Sequence, residues 1–323
     1  MIFLEKCKAK VLARDTLSPS EARSLYDEPL EPLCHAANDI RQVLCGNAFD
    51  LCAIINAKSG RCSEDCKYCA QSVHYHTVCQ EYPFLASEQI VHQARRLAEQ
   101  GVLRYSLVTS GRTLNHGELE EVCQAVQAIK KSVPIRVCGS FGLLVKEQCS
   151  QLLAAGLERI HNNLETSERN FPNVCTTHGY HDKILTIQAA QGAGMEVCSG
   201  GIFGMGESVE DRIDLAFSLK KLGVRSVPMN LLNPVKGTPY ETIVPLESEE
   251  FRRIVAVYRF LLPDAWLRLA GGRGLLKDKG RACFRSGANA AITGDMLTTA
   301  GISVETDKRM LEELGFEVNG FHE

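Results

Sequence analysis

Cys62, Cys66 and Cys69 lie in the run Cys62-Ser63-Glu64-Asp65-Cys66-Lys67-Tyr68-Cys69, a C-x3-C-x2-C spacing in a segment with few apolar residues. Three thiolates this close can fold around one metal centre. A structural zinc site takes four ligands, usually as two pairs separated by a long gap. His74 and His76 are near enough to be considered as further ligands, so a zinc-binding structural module stays open. An iron–sulfur cubane suits a three-cysteine loop better, because it leaves one iron without a protein ligand, free to bind a substrate or cofactor. Three unrelated solvent-facing thiols are the bland alternative.

A second set is spread along the chain. Cys138 ends the third strand-like run, Cys198 ends the fifth, and Arg268 lies in the seventh, within WLRLAGGR. Each alone reads blandly, as a packed thiol or an ion pair. If the runs are staves of a barrel, inward side chains from alternate strands share a layer, and the three meet. The remaining runs end in polar groups: His161-Asn162-Asn163-Leu164-Glu165-Thr166 and Pro228-Met229-Asn230. Amides offer donors and acceptors together, which suits a neutral urea-like or amide ligand. Glu165 is suited to a pair of ribose hydroxyls. Capping and loop bonding are the structural alternative for the Asn and Thr residues.

The elements that must position these groups follow from periodicity. Strand-like runs fall near 53–57, 104–109, 134–138, 158–162, 195–199, 225–230, 265–269 and 289–293. Between them lie helix-period segments at 87–100, 117–131, 144–155, 181–193, 208–222 and 247–261. Gly101, Gly156, Gly194 and Gly223 follow four of the helical stretches, where a glycine stop is expected. Eight strands alternating with helices predict an α/β protein, a (β/α)8 TIM-type barrel over residues 51–323 with a short C-terminal tail, preceded by a helical extension over 1–50. A doubly wound open sheet is the rival. Active sites in the barrel architecture sit at the C-terminal strand ends, so chemically capable residues there weigh more.

Composition narrows the class. The chain has 323 residues, 45% hydrophobic and 23% charged, enough for a full core and too apolar for disorder. Lys+Arg number 36 against Asp+Glu 39, so no basic balance points to nucleic acid or an acidic membrane surface. No apolar run approaches the roughly 20 residues of a membrane helix, and the N-terminus lacks a signal-peptide stretch. A cytoplasmic location is expected, and a reducing cytosol argues against a disulfide framework for the 14 cysteines.

The cysteine triplet, with Tyr68 before its last member, resembles the signature of the radical S-adenosylmethionine (radical SAM) enzymes. That resemblance implies a 4Fe-4S cluster on Cys62, Cys66 and Cys69. Its open iron chelates S-adenosyl-L-methionine, which is cleaved by one electron to a 5′-deoxyadenosyl radical. Longer pieces resemble the biotin synthase family: GRCSEDCKYCAQS, RIHNNLETS, CSGGIFGMGE, SVPMNLLNPVKGTPY, LRLAGGR and SGANA, in order from about residue 50 to 300. This implies sulfur insertion into dethiobiotin, with the sulfur drawn from an auxiliary iron–sulfur cluster inside the barrel. It implies Cys138, Cys198 and Arg268 as auxiliary ligands. Tyr68, Asn163, Glu165, Lys183 and Ile202 fall on the S-adenosylmethionine side, where the family often has Asp at the position of Glu165. His161, Asn163 and Asn230 fall around the ureido ring. Flavodoxin or ferredoxin as electron donor, iron–sulfur assembly proteins and a homodimer are implied partners. A related radical enzyme acting on a small amino acid, or in cofactor maturation, is the alternative.

The pattern breaks at one place. The auxiliary 2Fe-2S cluster should have a third cysteine at the end of the second strand, where this chain has Tyr105-Ser106. A serine alkoxide is a poor substitute for thiolate at iron. The cluster is absent, or Ser106 ligates weakly, or a four-iron variant recruits another cysteine and keeps an open iron carrying sulfide. Cys79, Cys175 and Cys283 are candidates for recruitment, with Cys175 preferred because it follows the fourth strand on the active-site side. Cys7, Cys34, Cys45, Cys52, Cys123 and Cys149 read as ordinary core or surface residues.

Overall fold

The computed structural model describes residues 3–297 and 301–318. Three helices come first: α1 (Phe3–Leu12), α2 (Pro19–Leu25) and α3 (Leu30–Cys45). Strands and helices then alternate through β1 (Asp50–Lys58), α4 (Ser87–Glu99), β2 (Arg104–Thr109), α5 (His116–Ser132), β3 (Arg136–Ser140), α6 (Lys146–Ala154) and β4 (Arg159–His161). There follow α7 (Tyr180–Gly192), β5 (Glu196–Cys198), β6 (Gly201–Phe203), α8 (Val209–Lys221), β7 (Ser226–Leu231), α9 (Ser248–Leu261) and β8 (Trp266–Leu269). The described chain ends with α10 (Arg281–Phe284), β9 (Ala290–Thr293) and α11 (Val304–Glu313).

All the strand pairings are parallel, and β1 is bonded to both β2 and β9. A pairing of Cys198 with Ser226 joins β5 to β7, so the sheet closes on itself. β5 and β6 are two halves of one stave, which makes an eight-stave (β/α)8 barrel and excludes the open sheet. Helix starts follow local chemistry. Asn115 with Glu118, and Ser208 with Asp211, form reciprocal caps on α5 and α8 that satisfy otherwise orphaned backbone donors. Among the described residues no helix is long and apolar enough to cross a membrane.

The first three helices are fastened to the barrel through α9. Arg252 pairs with Glu31 at 2.5 Å, and Arg253 Nη1 donates to the carbonyls of Tyr26 (2.9 Å) and Glu28 (2.6 Å). α11 carries Asp307, which forms a buried pair with Arg273 at 2.5 Å, and Phe316 stacks edge-on against Phe49 with centroids 5.1 Å apart.

The break between β5 and β6 positions the site. Gly200 N donates to Asn163 Oδ1 (3.0 Å), and Gly200 O accepts from Glu165 N (3.1 Å). This close approach requires glycine: a Cβ at Gly200 would lie 1.9 Å from the Pro228 carbonyl oxygen. Gly200→Ala must therefore push β6 away from β7, at a cost of about 1–3 kcal/mol. The urea midpoint of the variant should fall; an unchanged midpoint would show that the two backbones do not meet.

Candidate active site

Side chains alternate in and out along a strand, and the inward set here has a clear phase. Cys52 and Ile54 of β1, Arg104, Ser106 and Val108 of β2, and Cys138 and Ser140 of β3 all face one cavity of ≈ 350 Å³. Arg159 and His161 of β4, Cys198 of β5, Pro228 and Asn230 of β7, and Arg268 of β8 complete the wall. Tyr68 and Cys69 stand over the cavity from the loop that follows β1. Ile54, Val108, Leu231, Leu232 and Ile292 give it apolar sides.

The expected convergence of Cys138, Cys198 and Arg268 is present, with one addition. Arg268 Nη1 lies 3.2 Å from Cys52 Sγ, on the first stave. Cys52 pairs in register with Arg104, one inward step below Ser106, and Ser106 in turn pairs with Cys138. Each sulfur has its own buried donor: Arg268 for Cys52 (3.2 Å), Arg104 Nη1 for Cys138 (3.5 Å) and Ser226 Oγ for Cys198 (3.2 Å). Beneath them Asp50 accepts from Arg268 Nη2 at 2.6 Å and lies 3.5 Å from Arg159. Burial pushes the Cys52 and Cys138 thiols up. At Cys198 burial also raises the thiol, but His161, Arg268 and Arg159 outweigh it and bring it down to about 6. This donor set fits an anionic iron–sulfur group: three thiols facing inward, backed by guanidinium groups, at a place where only one ionises by itself.

Cys175 is elsewhere. The expectation that it completes the second group is not met, because residues 171–178 fold over the Cys62–Cys69 loop. Asp65 Oδ1 collects the N–H groups of Thr176 (2.8 Å) and Thr177 (3.1 Å) and the Cys175 thiol (3.2 Å). That arrangement leaves Cys175 Sγ 3.7 Å from Cys66 Sγ. Donors from Cys66, His178 and Thr177 hold the Cys175 thiol at about 4 against the effect of burial. Cys79, by Ser59, and Cys283, in α10, are also outside the second group. Cys52 was the thiol that sequence reasoning missed.

The loop itself is a rigid frame. Cys62 N donates to Gln71 O, Val73 N to Cys62 O, and Cys69 N to Cys66 O, each at 2.9 Å. His74 Nε2 faces the Ser63 carbonyl at 3.0 Å, so it is engaged by backbone. Cys66, Cys175 and His178 lie within 4.8 Å of one another, a ligand set zinc accepts, but His178 Nδ1 is 2.5 Å from Glu64 Oε2 and is held there as a donor. Burial pushes Cys69 up to about 11, and the Cys62 sulfur adds to the rise. Three half-buried free thiols on one pinned loop suit a cluster with an open iron.

Between loop and floor lie the polar groups. Glu165 has φ +69°, a left-handed conformation costly for a side chain of this kind. Its Oε1 accepts from Tyr68 OH at 2.8 Å, whereas the buried Oε2 has no partner among the described residues. Such an orphan acceptor on the cavity wall fits a hydroxyl of a bound ligand. Asn163 Oδ1 takes Gly200 N, leaving its amide nitrogen for a ligand. Asn230 donates to Gly201 O and accepts from Gly271 N, both at 2.9 Å, which fixes its plane and leaves one N–H and one lone pair. Ile202 and His161 line the same wall. Lys183, on α7, is outside the lining; the hydrogen bond to Cys175 and burial push the Cys66 thiol up, and the Lys183 charge only opposes that rise.

Residues 57–219 match the family model "Radical SAM superfamily", and residues 228–317 match "Biotin and Thiamin Synthesis associated domain". A biotin synthase of Brachyspira hyodysenteriae is 56% identical over 98% of this chain and 95% of its own length. One from Akkermansia muciniphila is 54% identical, covering 96% of this chain and 97% of its own. Among solved structures, methylornithine synthase superposes with a TM-score of 0.84 at 18% identity, covering 97% of each chain. The FeFe-hydrogenase maturase from Carboxydothermus hydrogenoformans gives 0.80 at 18% identity, covering 97% of this chain and 78% of the maturase. At such identities the likeness is one of fold. The sequence relatives go further: this chain belongs to the biotin synthase family of radical S-adenosylmethionine enzymes.

Proposed function

We propose that this enzyme inserts sulfur into dethiobiotin to form biotin, with S-adenosylmethionine bound at the cavity mouth and the sulfur source bound at its floor. The observation that carries this reading is the single cavity that runs from Tyr68 and Cys69, past Asn163 and Asn230, to Cys52, Cys138 and Cys198.

Cys62, Cys66 and Cys69 would hold the 4Fe-4S cluster, which would supply the one-electron chemistry that cleaves S-adenosylmethionine. The chain's own residues do the positioning. Glu165, fixed by Tyr68, accepts from the ribose hydroxyls, with Asn163 beside it. Ile202 packs along the adenine, and Lys183 balances the methionine carboxylate. Asn163, Asn230 and His161 bind the ureido ring, whose N–H and C=O groups match the unused amide positions. The apolar walls keep water from a reactive carbon.

Cys52, Cys138 and Cys198 would hold the auxiliary cluster, with Cys52 on the neighbouring stave standing in for the thiol missing at Ser106. A flavodoxin or ferredoxin supplies electrons, assembly proteins load the iron, and the enzyme works in the cytoplasm as a homodimer. A second reading, a radical enzyme acting on another small molecule, draws on Ser106 alone.

Anaerobic incubation of reconstituted protein with dethiobiotin, S-adenosylmethionine and a low-potential reductant should yield biotin together with 5′-deoxyadenosine by mass spectrometry. Deoxyadenosine without biotin would overturn the substrate in favour of the second reading. Cys52→Ala should lose the auxiliary cluster's iron and absorbance while retaining the first cluster. Cys175→Ala should retain both, and iron counts with the reverse pattern would contradict the assignment.

A further inference from the structure

Cys175 has no part in the proposed function, yet it is the thiol that touches a cysteine of the loop. Its Sγ lies 3.7 Å from Cys66 Sγ, and among the described residues no other two thiols are hydrogen-bonded to each other. The two differ in exposure: Cys66 is half-buried, whereas Cys175 is 3% exposed. A small solute therefore meets Cys66 first, with Cys175 standing behind it.

The backbone builds this contact. Lys67 N donates to Val174 O at 3.0 Å, so the two segments run side by side next to both cysteines. On the flanks of the pair, Asp65 Oδ1 accepts from Thr176 N at 2.8 Å, and Thr177 Oγ1 donates to Glu64 Oε2 at 2.8 Å. Tyr240 OH donates to Asn173 O at 3.1 Å and holds the same strap from the other side. None of these bonds involves a sulfur, so they keep the two thiols together whether or not iron is bound. A disulfide is about 2.0 Å long, so the sulfurs must close by about 1.7 Å, which small rotations of the two side chains cover.

A ligand thiol that loses its iron is exposed to oxidation. Without a neighbouring thiol it passes from sulfenic to sulfinic and sulfonic acid, which ordinary thiols do not reverse; with one it stops at the disulfide. We infer that Cys175 is the resolving thiol of Cys66: once iron has left the loop, a peroxide joins the two in a disulfide that keeps Cys66 recoverable by reduction. The Cys66 sulfur takes one peroxide oxygen, the O–O bond breaks, water leaves and a sulfenic acid remains. The Cys175 sulfur then attacks that sulfur, the S–O bond breaks and a second water leaves. The peroxide is reduced to two waters, and the two thiols give up the two electrons and two protons. The disulfide itself needs no cluster; its protective role rests on Cys66 being a ligand of the first cluster.

The test uses the full chain, reconstituted anaerobically and then exposed to hydrogen peroxide with a chelator that takes up released iron. Free thiols are alkylated, and the protein is digested without reductant for mass spectrometry. The Cys66 and Cys175 peptides should appear joined in most chains and should separate on treatment with dithiothreitol. Reduction and renewed reconstitution should then restore the iron to near its starting content. In Cys175→Ser, Cys66 should become sulfinic or sulfonic acid and iron recovery should fall about threefold or more, with the activity before oxidation unchanged. Cys66 joined mainly to Cys62 or Cys69, or overoxidised in the wild-type chain, overturns the inference without any variant. Equal iron recovery in the two chains overturns the protective role. A joined pair in a chain that makes no biotin from dethiobiotin supports the inference and overturns the proposed function.

Discussion

Three guanidinium groups, Arg104, Arg159 and Arg268, are buried in the barrel floor around one fully buried carboxylate, Asp50. Glu196 pairs with Arg159 at 2.5 Å, and Glu158 and Glu196 reach Arg104 at 3.9 and 3.7 Å, but both carboxylates are partly in solvent. Buried charge is costly unless it is paired and hydrogen-bonded, so this floor favours further anions directly above it. The three thiols of Cys52, Cys138 and Cys198 are the groups that stand there. One of them, Cys198, is brought down to about 6 by His161, Arg268 and Arg159, while burial holds the other two up. Iron binds thiolates and releases their protons, so a cluster completes the charge balance that the arginines begin.

The opposite end of the cavity is built by different means. There the backbone does the work: the cysteine loop is pinned by its own hydrogen bonds and stitched to residues 174–178 through Asp65 and Glu64. The strained Glu165 and the interrupted stave at Gly200 bring the ribose-binding and amide groups between the two ends. A rigid frame of this kind suits radical chemistry, in which the reactive carbon must meet one substrate hydrogen and little else. Burial of the site under apolar walls and its enclosure by parallel staves follow from the same architecture.

Much of this was legible in the sequence. Eight strand-like runs and six helical runs fall on observed elements, because a parallel barrel buries β-branched runs and the helices keep an apolar stripe. β6 was missed because its three residues sit inside a glycine-rich run that reads as a turn. α11 was missed because its polar composition hides a short buried face. The substantive miss is Cys52. The first strand was read from 53, whereas β1 starts at Asp50, and that shift left both Cys52 and Asp50, the partner of Arg268, outside the strand. Cys175 failed for another reason: sequence places a residue at the active-site face but cannot say which of two clusters it faces, and that choice is made by the Asp65 carboxylate across the loop.

The central claim is that the auxiliary iron sits on Cys52, Cys138 and Cys198. An iron-edge anomalous difference map from crystals of the anaerobically reconstituted enzyme tests it most directly. The account predicts two separate iron peaks, one by Cys62, Cys66 and Cys69 and the other within bonding distance of all three floor sulfurs. A second peak bonded to Ser106 or Cys175, or no second peak in protein with full iron content, would contradict it.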